Sequence, residues 1–327
     1  MSSKYKCDNV SVIGCGRWGS FLSYYLATYC VQNVLLYGRE NSKDFNCLKT
    51  TGKNEYLTLP QNITLTSNVE DALKNNIIVI SIPCQNLRDL AKQLNNYNLE
   101  DKTFILAMKG LEQNTSKRLT EIIDEEIKYD VNTCVLLGPG HVQDYLKKVP
   151  SCAVVDSNNS DVKKYIANLF NSELMRVYYG NDLIGNEVGA ALKNVIGIAA
   201  GILDGLDWYG LKGALMTRAP IEVGRIIKKF GGNPNSAYGL AHLGDYEATL
   251  FSKNSHNRQF GENLVKKTEF SKLAEGYYTL KAIYDFVKKT NTYAPICEAL
   301  YDFVYEQQSI DTVIHGLFDR PIKGEFE

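Results

Sequence analysis

Residues 10–19, Val-Ser-Val-Ile-Gly-Cys-Gly-Arg-Trp-Gly, constrain the fold of this 327-residue chain more than any other stretch. An apolar β-branched run, Val10 to Ile13, breaks into Gly14, Gly16 and Gly19, and Phe21 to Ala27 behind it has helical texture. Strand, glycine turn and helix in that order form the setting in which G-x-G-x-x-G points to a dinucleotide-binding βαβ unit. In such a unit Gly14 makes the tight turn, Gly16 lets backbone approach a pyrophosphate, and Gly19 lets the helix pack on the strand. The helix N-terminus then offers N–H groups and a positive dipole end to phosphates. A glycine-rich βα turn without a ligand is the alternative. Cys15, inside the turn, reads as a small filler.

The chain beyond this turn keeps alternating. Val34–Tyr37 reads as the second strand and ends in Gly38-Arg39-Glu40. An acidic residue there would bond the ribose 2′-hydroxyl of NAD, whereas an Arg suits the 2′-phosphate of NADP. Arg39 precedes Glu40, which tilts the choice toward NADP(H); an Arg39 that stacks on adenine would leave NAD(H) open. Residues 41–62 are polar, with room for a loop or short helix. Strands follow at 63–65, 77–83, 103–108, 133–137, 152–156 and 174–178, with helices at 69–74, 87–94 and 115–127. The apolar run from Ile77 to Ile82 suits a strand buried on both faces. Lys109 stands at the end of one strand and Gly138-Pro139-Gly140-His141 at the end of another, where an open α/β sheet presents its ligand crevice. This alternation predicts a doubly wound, mostly parallel sheet.

After about residue 180 the strands stop. Residues 182–203 read as one long helix rich in Ala, Gly, Ile and Val, which predicts a buried, tightly packed segment. Lys193 and Asn194 interrupt it. A polar pair in so apolar a helix is costly without partners or a wet cleft, so Lys193 is a candidate cleft residue. A second helix spans 211–230 with Arg218, Glu222 and Arg225. Ser252 to Gly261 gathers Ser, His, Asn and Arg before a helix start at 259–265, which reads as a phosphate cradle or a capping loop. Another helix opens at 273–278, and Tyr293 to Leu317 reads as two helices around Pro295 and Ser309. The expected architecture is α/β: an N-terminal Rossmann-type doubly wound sheet over 1–180, followed by an all-helical domain over 181–327 with the site where the two meet.

Composition narrows the class. With a formal net charge of −1 the whole chain offers no basic face for nucleic acid. No stretch is an unbroken apolar run of the length needed to cross a membrane, and the first residues lack the apolar core of a signal peptide. The eight cysteines are scattered without C-x-x-C pairs, which suits free thiols in a reducing cytoplasm. No metal site is expected.

Taken together, these segments identify a family. Gly14-Cys15-Gly16-Arg17-Trp18-Gly19, Lys109-Gly110-Leu111, Gly138-Pro139, Ala191-Leu192-Lys193-Asn194-Val195, Asp204-Gly205, Gly239-Leu240-Ala241 with Leu243-Gly244-Asp245, Ser255 with Asn257-Arg258 and Phe260-Gly261, and Glu275-Gly276 occur in order. The chain resembles the bacterial-type NAD(P)-dependent glycerol-3-phosphate dehydrogenases over nearly its whole length. The resemblance implies interconversion of dihydroxyacetone phosphate and sn-glycerol 3-phosphate with NAD(P)H, feeding glycerophospholipid synthesis, and a homodimer formed through the helical domain. It implies that Lys193 is the acid/base residue and also touches substrate, together with Lys109, Gly138, Asp245, Ser255 and Asn257. Gly14, Gly16, Arg17, Trp18, Gly19, Arg39, Lys109, Val142, Leu273 and Glu275 would hold the cofactor. Three departures stand out. His256 replaces an Arg that serves substrate phosphate and cofactor, with Arg258 close enough to compensate. Gly140 replaces a residue whose side chain could touch substrate. The segment between Gly261 and Glu275 is short. The changes at His256 and Gly140 keep open a related dehydrogenase of another small 2-keto or 2-hydroxy substrate; the other alternative is a non-catalytic dinucleotide-binding regulator, against which Lys109, Lys193 and Asp245 argue.

Overall fold

The computed structural model describes residues 7–252 and 254–325, the side chains of Glu247 and Ala248 excepted. Lys253, within the polar stretch 252–261, and the first six residues therefore lie outside the described residues. The chain divides into two compact units, Met1–Met108 with Leu119–Leu183, and Lys109–Arg118 with Ile184–Glu327. A single cut near residue 180 does not separate them, because residues 109–118 leave the first unit and pack with the second.

The first unit is an eight-stranded sheet in the order β3-β2-β1-β4-β5-β6-β7-β8. Its strands are β1 (Asn9–Ile13), β2 (Asn33–Tyr37), β3 (Ile63–Thr66), β4 (Ile77–Ile80), β5 (Thr103–Leu106), β6 (Asn132–Leu137), β7 (Ser151–Asp156) and β8 (Met175–Tyr179). β4 and β5 are buried at every position, as expected of central strands covered on both faces. The connecting helices are α1 (Arg17–Tyr29), α2 (Lys43–Thr51), α3 (Val69–Ala72), α4 (Leu87–Leu94), α5 (Leu119–Glu126), α6 (Val142–Leu146) and α7 (Ser160–Phe170). All neighbours are parallel except β6 and β7, which pair antiparallel with Leu136 opposite Val155. The link between them, residues 138–150, carries only the single-turn α6, too little for the helical crossover that a parallel return needs. The helix expected over 115–127 begins only at Leu119. Ser116 adopts a left-handed φ of 60°, and its hydroxyl donates to the Ala282 carbonyl at 2.7 Å.

The second unit is helical: α8 (Leu183–Gly205), α9 (Tyr209–Lys229), a π-helical turn (Leu240–Gly244) running into α10 (Asp245–Leu250), α11 (His256–Lys266), α12 (Glu275–Thr290), α13 (Pro295–Val304) and α14 (Ile310–Phe318). α8 is long and apolar enough to cross a membrane by length and composition, yet 78% of that window is buried inside the protein. It is the central helix of this unit, with Val188, Leu192, Val195 and Ile198 packed on Ile226 of α9 and Ile283 of α12 in one apolar cluster.

Small residues on α8 decide what can lie against it. A Cβ on Gly201 would sit 1.9 Å from the Arg258 carbonyl oxygen, and one on Gly261 would sit 2.1 Å from that of Ile198. The backbones of α8 and α11 therefore touch at a reciprocal pair of glycines. A Cβ on Gly276 would likewise fall 2.5 Å from the Asn194 carbonyl oxygen, so α12 starts against α8 one residue beyond Lys193. Gly261→Ala should push α11 off α8 and lower stability by about 1–3 kcal/mol, the usual cost of overpacking. Urea unfolding would read this as a lower midpoint, and a wild-type midpoint would show that the helices need not touch.

Candidate active site

The glycine turn of the first unit has the division of labour that dinucleotide binding requires. Gly14 has φ of 113°, and a Cβ there would sit 2.1 Å from the Ser81 carbonyl oxygen. A Cβ on Gly19 would sit 1.9 Å from the Gly14 carbonyl oxygen, so helix and turn are in backbone contact. A Cβ on Gly16 would meet, among the described residues beyond its chain neighbours, nothing closer than an Asp44 oxygen at 4.0 Å. That glycine serves no internal packing and leaves room for a ligand's own approach. Cys15 is buried and its thiol is pushed up by burial, which suits the filler role. These residues fit a dinucleotide's pyrophosphate.

Around the turn, Arg17 reaches Gln143 at 3.4 Å and lies 5.5 Å over the Tyr56 ring. Trp18 leans on Phe21 with ring centroids 5.2 Å apart. Gly38 admits no side chain, because a Cβ would meet Cys15 and Phe45 at 2.5 Å. Arg39 and Glu40 are both exposed just after β2. In the second glycine loop, Gly138 and Gly140 have φ of 132° and 151°. A Cβ on Gly140 would strike the Tyr145 ring at 2.5 Å, so an aromatic side chain from α6 fills the place beside it. Val142 is buried in the apolar cluster of this unit. Arg39→Ala should raise the dissociation constant of NADPH more than that of NADH in a fluorescence titration; equal changes would assign Arg39 to stacking alone.

In the second unit, three charged side chains meet. Lys193 of α8 donates to Asp245 Oδ1 at 3.3 Å and to Thr249 Oγ1 at 3.1 Å. Lys109 pairs with the other oxygen of Asp245. The Thr249 hydroxyl donates in turn to the Asp245 carbonyl at 2.7 Å. Both Lys193 and Asp245 are buried. Burial drives the Lys193 ammonium down to about 8, with Asp245 opposing and Lys109 reinforcing the fall. Burial pushes the Asp245 carboxyl up, but the two lysines outweigh it and hold the group below its ordinary value.

A relay of amides fixes this cluster. The Gly276 N–H donates to Asn257 Oδ1 at 2.9 Å, Asn257 Nδ2 donates to Asn194 Oδ1 at 2.9 Å, and Asn194 Nδ2 donates to the Lys109 carbonyl at 3.1 Å. Asn257 is thus joined to Lys109 through Asn194, which the sequence marks only as a polar neighbour of Lys193. Thr249 carries no motif at all; its one signal is its place a helical turn after Asp245. His242 is also buried beside the cluster. Its Nδ1 donates to the Gly189 carbonyl at 2.9 Å, its ring stacks on Tyr246 with centroids 5.4 Å apart, and burial lowers it to about 4, leaving it neutral.

The polar stretch before α11 splits into two roles. Ser255 is the N-cap, its hydroxyl accepting from the Arg258 N–H at 3.3 Å. His256 opens the helix, and its Nδ1 donates to the Leu273 carbonyl at 3.2 Å. Leu273 is exposed, and Glu275 begins α12. The Arg258 side chain points elsewhere. Its Nε lies 2.5 Å from Asp204, a carboxylate also held by Lys212 at 2.8 Å, and its terminal nitrogen lies 3.5 Å from Glu262. The compensating cation expected near His256 is therefore engaged in an ion-pair cluster of α8, α9 and α11. Among the described residues no cluster of three or more His, Cys, Asp or Glu could hold a metal ion.

Comparison with known proteins assigns both units. The family profile of the NAD-dependent glycerol-3-phosphate dehydrogenase N-terminus matches residues 9–163, and that of the C-terminus matches residues 182–315. A glycerol-3-phosphate dehydrogenase [NAD(P)+] of Staphylococcus aureus is 34% identical over 97% of this chain and 99% of its own. The crystal structure of a glycerol-3-phosphate dehydrogenase from Coxiella burnetii superposes with a TM-score of 0.89 at 25% identity, covering 97% of this chain and all of that one. A Plasmodium falciparum glycerol-3-phosphate dehydrogenase shares the fold, with a TM-score of 0.83 at 20% identity, covering 97% and 96% of the two chains. The glycine turn, the buried lysine–aspartate cluster and these matches agree: the chain belongs to the NAD-dependent glycerol-3-phosphate dehydrogenase family.

Proposed function

We propose that Lys193 is the proton donor and acceptor of an NAD(P)-dependent glycerol-3-phosphate dehydrogenase that interconverts dihydroxyacetone phosphate and sn-glycerol 3-phosphate. The observation that carries this is a buried ammonium held by Asp245 and Thr249 and lowered to about 8. A group whose affinity for protons lies near the working pH can both give and take one. NAD(P)H, when bound, supplies the hydride. Reduction of the ketone builds negative charge on its oxygen. Lys193 hydrogen-bonds that oxygen and passes it a proton, becoming a neutral amine. In the opposite direction the neutral amine removes the hydroxyl proton.

Lys109 supports this role electrostatically. Two ammonium groups against one carboxylate leave the cluster net positive, which favours an oxyanion. Asp245 tempers that excess and orients both lysines. Ser255, His256 and Asn257 at the N-terminus of α11 are the substrate-phosphate contacts, since first-turn N–H groups and the helix dipole favour an anion. Gly138 and Gly140 lie along the substrate, with Tyr145 replacing a side chain at 140. Arg258 acts on that phosphate only through the position of α11. The glycine turn, Arg17, Trp18, Arg39, Val142, Leu273 and Glu275 hold the dinucleotide.

Family membership supports the wider reading: a cytoplasmic homodimer whose product feeds glycerophospholipid synthesis. Steady-state oxidation of NADH and NADPH with dihydroxyacetone phosphate tests the activity directly, and no turnover with either cofactor would overturn it.

Lys193→Ala should lower kcat by on the order of 10²–10⁴-fold, the usual contribution of a positioned acid. With Lys193 lowered to about 8, ketone reduction should decline as pH rises through that value, because the ammonium is lost. Alcohol oxidation should instead rise toward a plateau there. Asp245→Asn removes the partner that sustains the ammonium, so the descending limb of reduction should move to lower pH. A limb unmoved by this change would place the titration on another group.

A further inference from the structure

A chamber of about 380 Å³ lies among α8, α9, α13 and α14, far removed in sequence from the glycine turn and sharing no lining residue with the Lys193 cluster. Small-molecule sites commonly span roughly 300–1,000 Å³. Its walls are chiefly apolar, with Ile202, Leu203, Leu215, Ile296, Phe303 and Val313 among them. Among the described residues, the only acid that lines it is Glu222. That carboxylate is already satisfied, accepting the Ile296 and Cys297 N–H groups at 2.8 Å each.

Four cations line the same chamber: Arg218, Arg225, Arg320 and Lys323. Three of them converge on one ring. Arg225 donates to the Tyr293 carbonyl at 3.1 Å and lies 5.2 Å over the ring, Arg320 donates to the Tyr293 hydroxyl at 3.0 Å, and Lys323 stands 4.3 Å over the ring. Arg218 reaches the Glu325 carbonyl. Among the described residues, none of the four meets a side-chain carboxylate within ion-pair distance. Tyr293 is 46% exposed, so the positive charge gathers where the chamber meets solvent.

An apolar chamber with a compact cationic mouth is complementary to an amphiphile with one tail and one anionic head. We propose that it binds a long-chain fatty carboxylate, its hydrocarbon tail among α8, α9, α13 and α14 and its carboxylate at Arg225, Arg320 and Lys323. Convergence of three cations on a single ring suits a small head better than an extended one, and Arg forks are matched to carboxylate. A second copy seated symmetrically over the mouth would set these cations against themselves, which is unfavourable.

The test is isothermal titration of the full chain with dodecanoate below its micellar range, beside dodecanol and dodecylammonium. Saturable one-to-one binding of dodecanoate is expected, with dodecanol weaker by about tenfold or more for want of a charge-assisted hydrogen bond and no binding of dodecylammonium. Arg320→Glu with Lys323→Glu alters only exposed positions and should weaken dodecanoate by about tenfold or more on the same ground, at an unchanged unfolding midpoint. Ala299→Trp fills the chamber and should abolish binding. Absence of saturable binding, equal affinity for dodecanol, or indifference to the double charge reversal would each overturn the proposal. So would self-association of the chain, seen in sedimentation, that dodecanoate reverses, because the face would then belong to a second copy.

Discussion

The helical unit is organised around one buried carboxylate. Asp245 shares its two oxygens between Lys193 and Lys109, and neither lysine could be placed there without it. Burying charge in protein costs several kcal/mol per ion unless partners and hydrogen bonds compensate. Here the compensation is incomplete by design of the charge count, two cations to one anion. Burial first, and Lys109 after it, keep Lys193 from being a fully stable ammonium, which is the property that the proposed reversible proton donor needs. Thr249 ties the arrangement to the backbone of α10, so the carboxylate and its helix move as one piece.

Such a cluster works only if the helices that bring it together are held closely. The glycines of α8 and α11 do this by letting main chain meet main chain, and Gly276 brings α12 to the same level. The amide relay from Gly276 through Asn257 and Asn194 to Lys109 then runs across four separate segments of the chain. Buried polar networks of this kind tolerate little misplacement, because each unsatisfied member bears its full desolvation cost. His242 completes the surroundings: neutral, stacked on Tyr246, and linking the π-helical turn before Asp245 to α8.

Much of this is visible in the sequence because period and punctuation carry it. The strands around the first glycine turn, the limits of α4 and the long α8 all follow from apolar runs and their breaks. Strand direction does not: β7 has the same burial pattern as β6, the strand it opposes, and only the brevity of the link after β6 betrays its reversal. Lys193 declares itself by being charged within an apolar helix. Thr249 and Asn194 do not, since their roles depend on which helices cross. Arg258 shows the limit most clearly. Its proximity to His256 suggests a phosphate ligand, but two residues along a helix turn the side chain to the opposite face, and Asp204 claims it. Gly140 similarly reads as a missing side chain until Tyr145 is seen in its place.

The excursion of residues 109–118 has a consequence for how the chain is made. Leu111 is fully buried in the apolar cluster of the helical unit, and Ser116 is tied to Ala282. Both leave the ribosome long before α8 and α12 exist. The strands that precede and follow the excursion can pair at once, since β4 through β6 are contiguous in the sheet. A nascent sheet would then carry a loop holding Leu111 in water until the last third of the chain arrives. The interval is a window in which a chaperone, or an unwanted neighbour, meets a leucine side chain that the finished protein keeps buried.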